Sequence, residues 1–321
     1  MDRNKKYFAS ALGEMLIDFT VQGRNEQGQR IFAQNAGGAP ANVMASIAKL
    51  GKETAFIGKA GNDMHGRFLK ETLDKNGINS DGFVLTDDYF TTLAFVDINP
   101  LGEREFSFAR NHGADKMLTP EDVDLEIIKN STYFHIGSVS LTDEPSRATT
   151  MYALEKAKEF GCIISYDPNF RSSLWKDIES AKVHMRNILK YADVVKISDE
   201  ETELLTDFTD PKQASEIIIA QGVKIAVITL GEKGAYVATK DGGMTVAGYS
   251  AVVKDTTGAG DSFLGGLLYK LSLSEKELDE MTLADTAECV KFGNAVASIC
   301  VEGYGAIPSM PDLDTVIKRI G

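Results

Sequence analysis

Paired cysteines, long apolar runs and clusters of basic residues are missing from this 321-residue sequence, and each absence excludes a class of protein. The three cysteines, Cys162, Cys289 and Cys300, are an odd number at wide spacing within apolar segments. That pattern indicates buried free thiols in a reducing compartment rather than a disulfide framework. Neither a membrane-spanning run nor a signal-peptide pattern is present, so we expect a cytoplasmic protein.

Charge of one sign dominates, because 47 acidic residues against 34 basic ones give a formal net charge of −13 at pH 7. No cluster of Lys or Arg interrupts this acidity, which argues against nucleic-acid and membrane-surface partners and favours a small ligand. The four histidines show no ligand spacing with one another or with the cysteines. A structural zinc site is therefore not expected.

Short apolar runs alternate with longer amphipathic segments, the pattern of right-handed βαβ units in a mostly parallel sheet covered on both faces. Strands are predicted at residues 8–12, 54–57, 133–136, 162–166, 194–197 and 225–229. Helices are predicted at residues 40–50, 66–75, 145–160, 178–191, 211–221 and 259–271. Ligands of such sheets bind at the carboxyl ends of the strands, so the loops that follow the strands should gather along one edge.

Two stretches, about residues 18–36 and 91–110, interrupt this alternation and predict a small antiparallel β lid. The second stretch has a hairpin pattern, with apolar Leu93, Phe95 and Ile98, the turn Asn99-Pro100-Leu101-Gly102, and then Phe106 and Phe108. A closing lid would exclude water from a reaction, and its outward apolar face would pair two lids in a homodimer. The alternative is a hairpin that only caps the sheet edge.

The most informative segment is D-T-T-G-A-G-D-S-F at residues 255–263. Apolar residues follow it at helical spacing, so Gly258, Ala259 and Gly260 should form a first turn whose N–H groups lack intrahelical acceptors. These groups and the helix dipole suit a phosphate, and Asp261 beside them can accept the proton of an attacking hydroxyl. The alternative interpretation is a glycine-rich turn in which the acid compensates the helix N-terminus.

A second small-residue cluster, G-G-A-P-A-N at residues 37–42, also opens a helical pattern. In this order the two clusters resemble the two signatures of the ribokinase-like (PfkB) carbohydrate kinases. The resemblance spans residues 13–311 and is closest to the bacterial fructokinase branch. It implies a single ribokinase-like kinase domain over residues 1–321, with a three-layer α/β/α fold, a mostly parallel central sheet and a small β-sheet lid.

The resemblance implies roles for the residues at the matching motif positions. Asp261 would be the general base, residues 258–260 the anion hole, and Arg171, within D-P-N-F-R-S-S-L-W at 167–175, a cation at the transferring phosphate. The sugar would be bound by Asp18, Gly38, Asn42, Arg110, Asn169 and Asp261. Alternatives are a hydrogen bond to a neighbouring turn for Asn42 and surface ion pairs for the two arginines.

The resemblance also implies ATP and Mg²⁺ as cofactors. ATP would be bound by Lys196, Ser198, Thr229, Gly231, Gly234, Gly258, Gly260 and Asn294. Glu201 would help to hold Mg²⁺ through water, although Ser198 replaces the asparagine of the family's motif; a metal-free helix N-terminal acid is the alternative. Asp255 and Thr257, with Gly303 and Gly305, match positions that bind a monovalent cation such as K⁺ in some relatives, where a plain turn is the alternative.

The implied function is that of an ATP-dependent fructokinase, which transfers the γ-phosphate to a primary hydroxyl of D-fructose. A 2-keto-3-deoxygluconate kinase shares the pattern of residues 169–175 and remains an alternative, as do another sugar or riboside kinase and a non-catalytic sugar sensor. A nicotinamide-dependent oxidoreductase would suit the alternating pattern, but no G-x-G-x-x-G follows the first strand.

Overall fold

The computed structural model describes residues 5–98 and 104–321. The strands are β1 (Tyr7–Leu12), β2 (Leu16–Arg24), β3 (Arg30–Gly37), β4 (Thr54–Gly61), β5 (Ile78–Asn79), β6 (Phe83–Thr86), β7 (Leu93–Ile98), β8 (Arg104–Ala109), β9 (Ser131–Ile136), β10 (Ile163–Tyr166), β11 (Val194–Ser198), β12 (Ile225–Thr229), β13 (Ala235–Thr239) and β14 (Gly242–Val246). The α-helices are α1 (Ala39–Lys49), α2 (Met64–Lys75), α3 (Leu125–Lys129), α4 (Ser146–Glu159), α5 (Ile178–Ile188), α6 (Thr202–Thr206), α7 (Pro211–Ala220), α8 (Ala259–Ser272), α9 (Leu283–Cys300) and α10 (Leu313–Ile320). Among these helices, none is long and apolar enough to cross a lipid bilayer.

The large sheet has the strand order β14-β13-β12-β11-β10-β9-β1-β4-β5, and β6 also pairs with β4. Neighbours from β5 to β12 are parallel, whereas β13 runs antiparallel to both β12 and β14. The parallel strands consist mainly of apolar residues, which is stable only when helices cover both faces of the sheet.

Alternating side chains of the strands feed two cores, one on each face of the sheet. In β12, Ile225 and Val227 pack into a core with α1, α8 and α9. Ala226 and Ile228 pack into the opposite core, with α4, α5 and α7. This division follows from the two-residue period of a strand, and it confirms the predicted three layers.

Helix α8 lies deep in the first of these cores. Leu264, Leu267, Leu268 and Leu271 of this helix are fully buried, at the three- and four-residue spacing that places them on one side. The helix packs against α1 and α9. The amino-terminal turn of α8, which carries Asp261, is therefore supported by a rigid and well-packed element.

The small sheet has the order β3-β2-β7-β8 and stands apart from the large one. Strands β2 and β7 are parallel, while β3 and β8 pair antiparallel at the two edges. The two predicted stretches form this sheet, but its first strand begins slightly earlier than predicted, at Leu16. The predicted turn at residues 99–102 lies outside the described residues.

The six predicted strands and six predicted helices are confirmed, with ends that differ by a few residues. The largest strand difference is β4, which continues to Gly61, because its carboxyl half pairs with β6. The antiparallel strands β13 and β14 and the long helix α9 were not predicted. They complete one end of the sheet and the wall of the larger cavity described below.

Candidate active site

The first turn of α8 is shaped by Gly258, whose φ of 77° lies in the left-handed region that glycine adopts without strain. A Cβ at Gly258 would also lie 2.6 Å from the Cβ of Ala306, so the loop can approach this neighbour only with glycine. The N–H groups at the start of the helix are without intrahelical acceptors. Asp261 follows in the same turn and is 8% exposed.

A cleft of about 200 Å³ lies between the start of β2, the amino end of α1 and the amino end of α8. Its lining residues that concern binding or catalysis are Glu14, Asp18, Gly38, Asn42, Asn169, Arg171, Lys196, Gly258, Ala259, Gly260 and Asp261. Asp18, Gly38, Asn42, Asn169 and Arg171 were predicted from three separate parts of the chain. The fold brings them to one place because the loops after parallel strands share an edge of the sheet.

The Asp261 carboxylate has one direct partner, since the Asn42 side-chain N–H₂ donates to its Oδ2 at 2.8 Å. Burial, and after it the nearby Asp167 carboxylate, raise the pKa of Asp261 to about 6 against the opposing effects of Lys196, Asn42 and Arg171. A carboxylate with a pKa near 6 is ionised at neutral pH and is basic enough to take a proton from a hydroxyl in the transition state.

Lys196 places a fixed positive charge beside this turn. Its Nζ donates to Asp167 Oδ2 at 2.7 Å, and the side chains of both partners are almost completely buried. Burial alone would lower the pKa of Lys196, but the carboxylates of Asp167, Glu201 and Asp261 raise it above its usual value. A Cβ at Gly260 would lie 2.7 Å from this Nζ, so the ammonium group sits directly against the backbone of the turn.

A second cavity, of about 690 Å³, lies on the other side of the same turn. It is lined by Thr229, Gly231, Glu232, Lys233, Gly234, Gly248, Tyr249, Ser250, Ala251, Val253, Thr256, Ala259, Gly260, Phe263, Asn294, Ala297, Ser298 and Val301. Thr256, Ala259 and Gly260 line both cavities. The two spaces therefore meet at the amino end of α8, where backbone N–H groups can face both.

Asn294 lines this larger cavity from α9. Its Nδ2 donates to the carbonyl oxygens of Val246 at 3.2 Å and Ala247 at 3.1 Å. Both donors of the amide are thus used to fix the segment that leaves β14. The structure gives Asn294 a role in shaping the cavity wall in addition to its predicted place at the nucleotide.

Arg110 does not line either cavity. Its guanidinium donates to Asp115 Oδ2 at 2.7 Å, to Thr142 Oγ1 at 2.8 Å and to the Val139 carbonyl at 3.1 Å. The residue is only 6% exposed, so these contacts hold it within the wall behind the cleft. A contact between Arg110 and the sugar stays a prediction.

Ser198, Glu201 and Asp255 also lie outside the two cavities, where they fix the loops around them. Glu201 Oε1 accepts from the N–H of Phe170 at 2.6 Å, and Oε2 accepts from the N–H and Oγ of Ser198 at 2.8 and 2.9 Å. These bonds join the loops after β10 and β11, next to Arg171. Asp255 likewise joins its own loop to the N–H of Gly305, at 2.8 Å.

The side chains near the site can be compared with what the implied metal ions need as ligands. The described residues contain no group of three His, Cys, Asp or Glu side chains that could hold a metal ion. Glu201 uses three of the roughly four acceptor positions of a carboxylate, which leaves one for a metal-bound water. This arrangement fits an Mg²⁺ ion that is carried mainly by substrate phosphates, because Mg²⁺ retains several waters in such sites.

Two acidic residues at the site were not among the predicted site residues: Glu14, which lines the cleft, and the buried Asp167, which lies behind Lys196. Asp167 was quoted only as part of a motif, but the structure shows that it holds the Lys196 ammonium. Glu14 is a buried carboxyl that follows the first strand directly. An acidic residue between two apolar strands was the available signal, and it was not used.

The chain resembles known carbohydrate kinases both in sequence and in fold. The profile of the pfkB family carbohydrate kinases matches residues 8–313. Fructokinase-2 of Solanum habrochaites is 43% identical over 308 residues, which cover 94% of this chain and 92% of that protein. The crystal structure of fructokinase with bound ATP from Xylella fastidiosa has a TM-score of 0.89 and 32% identity, with 98% of each chain covered. A fructokinase double mutant from Vibrio cholerae O395, bound to fructose, ADP and potassium ion, has a TM-score of 0.87 and 30% identity, covering 99% of this chain and 100% of that one.

Proposed function

This chain belongs to the pfkB family of carbohydrate kinases and has the ribokinase-like fold, and from this premise we propose that it is an ATP-dependent fructokinase. It transfers the γ-phosphate of ATP to a primary hydroxyl of D-fructose. The observation that carries the proposal is the shared turn, since Thr256, Ala259 and Gly260 border a sugar-sized cleft and a nucleotide-sized cavity at once, with Asp261 on the side of the cleft. A phosphoryl group placed there reaches the sugar without crossing solvent.

In the proposed reaction the sugar hydroxyl oxygen attacks the γ-phosphorus as the bond to the β-phosphate oxygen breaks. Asp261 accepts the hydroxyl proton, and ADP leaves with the electron pair of the broken bond. The backbone N–H groups of Gly258 and Gly260 stabilise the charge on the transferring group, since they are already oriented by α8, whereas the N–H of Ala259 donates to the Thr256 carbonyl at 3.2 Å. Lys196 and Arg171 line the same cleft and add positive charge at its phosphate end.

The larger cavity is proposed to bind ATP, with Thr229, Gly231, Gly234 and Asn294 in its wall. Mg²⁺ would neutralise the phosphates, with Glu201 contacting it through one water. A K⁺ ion beside Asp255 and Thr257 is a further proposal, supported by the potassium ion of the Vibrio cholerae structure and by the bond from Gly305 to Asp255. Ser198 contributes by holding Glu201 rather than from the cavity wall.

The charge of the cleft favours a neutral sugar over 2-keto-3-deoxygluconate. Three carboxyl groups, Glu14, Asp18 and Asp261, line it. Arg110, a candidate partner for a substrate carboxylate, is held by Asp115, Thr142 and the Val139 carbonyl. A substrate with its own carboxylate would meet repulsion at the sugar end, whereas the hydroxyls of fructose can donate to these groups.

A coupled assay of ADP release tests the proposal with a panel of fructose, ribose, 2-keto-3-deoxygluconate and aminoimidazole riboside. We expect kcat/KM to be highest for fructose. A higher value for the acid sugar would contradict the argument from the cleft charge. Fructose binding without ADP release would favour the non-catalytic sensor instead.

The pKa of Asp261 predicts the pH dependence of the reaction. A general base works when it is deprotonated, so kcat/KM for fructose should rise with pH, with a midpoint at about 6. Well below that midpoint, the value should fall about tenfold for each pH unit.

The variant Asn42→Ala identifies the group that titrates. It removes a hydrogen bond that lowers the pKa of Asp261, so the midpoint should move to higher pH. Initial rates measured from pH 5 to 8 check both results. A flat wild-type profile, or an unchanged midpoint in the variant, would argue against Asp261 as the titrating base.

We also propose that the small sheet is a lid and that two lids pair in a homodimer. Ile31, Phe32 and Phe95 of this sheet are at least one-third exposed, and the Phe95 ring stacks on Phe19 at 5.4 Å between ring centroids. Such an apolar face is costly to leave in water.

The buried, unpaired state of all three cysteines supports the proposal that the protein works in the reducing cytoplasm.

Sedimentation velocity tests the dimer. Phe95→Glu places a charge in the proposed interface and should convert a dimer into monomers. Val183→Glu is the matched control and should leave the dimer intact. Val183 is 65% exposed on α5, a helix that covers the large sheet and is not part of the proposed interface. A monomeric wild-type protein, or a dimeric Phe95 variant, would refute pairing through the lids.

A further inference from the structure

Glu14 is a charged residue of the sugar cleft to which the proposed reaction gives no role. It lies between β1 and β2, lines the cleft with Asp18, Gly38 and Asn42, and is only 4% exposed. Acidic side chains are rarely this buried unless their oxygens are paired. The placement of its two oxygens therefore bears on what the cleft binds.

One oxygen of Glu14 has a structural partner. The N–H of Ala39, at the first position of α1, donates to Oε1 at 3.3 Å. Gly38 at the N-cap of this helix has no side chain that could cap it, and a carboxylate such as Glu14 near a helix N-terminus is stabilised by the helix dipole. The bond also positions the loop that carries Gly38 and Asn42.

The other oxygen, Oε2, is buried and has no hydrogen-bond partner among the residues that the structure describes. Arg110, whose positive charge acts on Glu14, directs its donors to Asp115, Thr142 and the Val139 carbonyl. Buried polar atoms are nearly always hydrogen-bonded, so an unpaired oxygen in the wall of a binding cleft points to a ligand group that completes it.

The charged groups around Glu14 leave its carboxyl able to serve as donor or acceptor. Burial raises its pKa to about 7, the Arg110 guanidinium opposes that shift, and the Asp115 carboxylate adds to it. Near neutral pH the protonated and ionised forms are both populated. A hydroxyl can pair with either form, whereas a substrate carboxylate can pair only with the protonated one.

We propose that Glu14 is a specificity-determining residue of the sugar site, and that its Oε2 forms a hydrogen bond with a hydroxyl of bound fructose other than the reacting one. This inference rests on the proposed fructokinase function. Glu14 acts in addition as a positioning residue through Ala39. The competing explanation is that it only caps α1, in which case no single sugar hydroxyl would depend on it.

A thermodynamic cycle separates these two explanations. We compare fructose with its monodeoxy analogues, each lacking one non-reacting hydroxyl, in the wild type, Glu14→Ala and Glu14→Gln, and measure kcat/KM for the sugar and KM for ATP. One analogue should lose about tenfold or more in the wild type, because it leaves a buried carboxyl oxygen unpaired. In Glu14→Ala that loss should shrink to less than about threefold, and Glu14→Gln should restore part of it, because an amide still pairs with a hydroxyl.

The control is Asp193→Asn, a carboxyl-to-amide change at a residue that is 8% exposed and precedes β11 at the opposite edge of the sheet. This control variant should leave the loss in kcat/KM for every analogue unchanged. Melting curves should show that all of the variants are folded. Penalties that are equal in the wild type and in both Glu14 variants would overturn the inference and leave the fructokinase proposal intact. A wild-type protein that releases no ADP with any sugar would overturn the proposed function and this inference with it.

Discussion

Asp261→Asn is expected to lower kcat by about 10²–10⁴-fold and to change fructose affinity by less than about threefold. The amide keeps the size of the carboxyl group and can still contact Asn42, so the cleft retains its shape. What it loses is the ability to accept the hydroxyl proton as the oxygen attacks. Steady-state rates together with calorimetric titration of fructose measure the two quantities separately.

Asp207→Asn is the matched control for this prediction. Asp207 has a side-chain partner as well, since it is ion-paired with Arg186, but its side chain is 65% exposed and lies in neither cavity. Its replacement should leave kcat unchanged. An Asp261 variant with a wild-type rate would remove the proposed base from the mechanism, and a variant that loses fructose binding would reassign Asp261 to substrate recognition.

Gly258→Ala is expected to be the most damaging single-methyl change in the site. The new Cβ would meet Cβ and Cα of Ala306 at 2.6 and 2.9 Å, so the turn must move. Loss of one well-placed anion donor costs about 2.7–4 kcal/mol in an acyl-transfer enzyme, which corresponds to about 10²–10³-fold in kcat. We expect a fall in kcat of this order, with KM for ATP increased as well.

Gly222→Ala isolates the contribution of the contact. Gly222 also has a positive φ, of 99°, but a Cβ there would have no neighbour within 4 Å. Both variants carry the cost of a side chain in this backbone region, roughly 1–2 kcal/mol, which chemical denaturation measures. Only Gly258→Ala should lose activity. Equal activity in the two variants would show that the geometry of the α8 turn does not limit catalysis.

The amino-terminal turn of α8 could be predicted because its sequence signal is local. Small residues, a carboxylate and an apolar helical repeat follow one another in residues 255–271, and the structure forms α8 at that place. The first strands and the two stretches of the small sheet could be predicted for the same reason, because the pattern of each is contained in one continuous segment of chain.

Helix α9 was missed because its residues do not follow one exposed and one buried side. Phe292, Val296 and Cys300 are buried, but so are Gly293, Asn294 and Ser298. Gly293 lowers helix propensity, yet it is needed, since a Cβ there would lie 2.8 Å from the Phe263 carbonyl oxygen of α8. Close packing between two helices therefore outweighs the local signal.

The pairings inside the site were beyond the sequence for a similar reason. Lys196 lies on β11 and Asp167 follows the end of β10, and Arg110 contacts Asp115 and Thr142 only after the chain has folded. Motif matching placed Arg110 at the sugar because the residue type suits that role. Whether its guanidinium is free or already engaged depends on neighbours that are distant in sequence.

The most direct test of the account is a quenched single-turnover reaction that counts ADP, phosphorylated sugar and free phosphate together. If Asp261 and the α8 turn direct the γ-phosphate to a fructose hydroxyl, each ADP should be matched by one fructose phosphate, with almost no free phosphate. Free phosphate in place of fructose phosphate, or no ADP at all with both substrates bound, would contradict it.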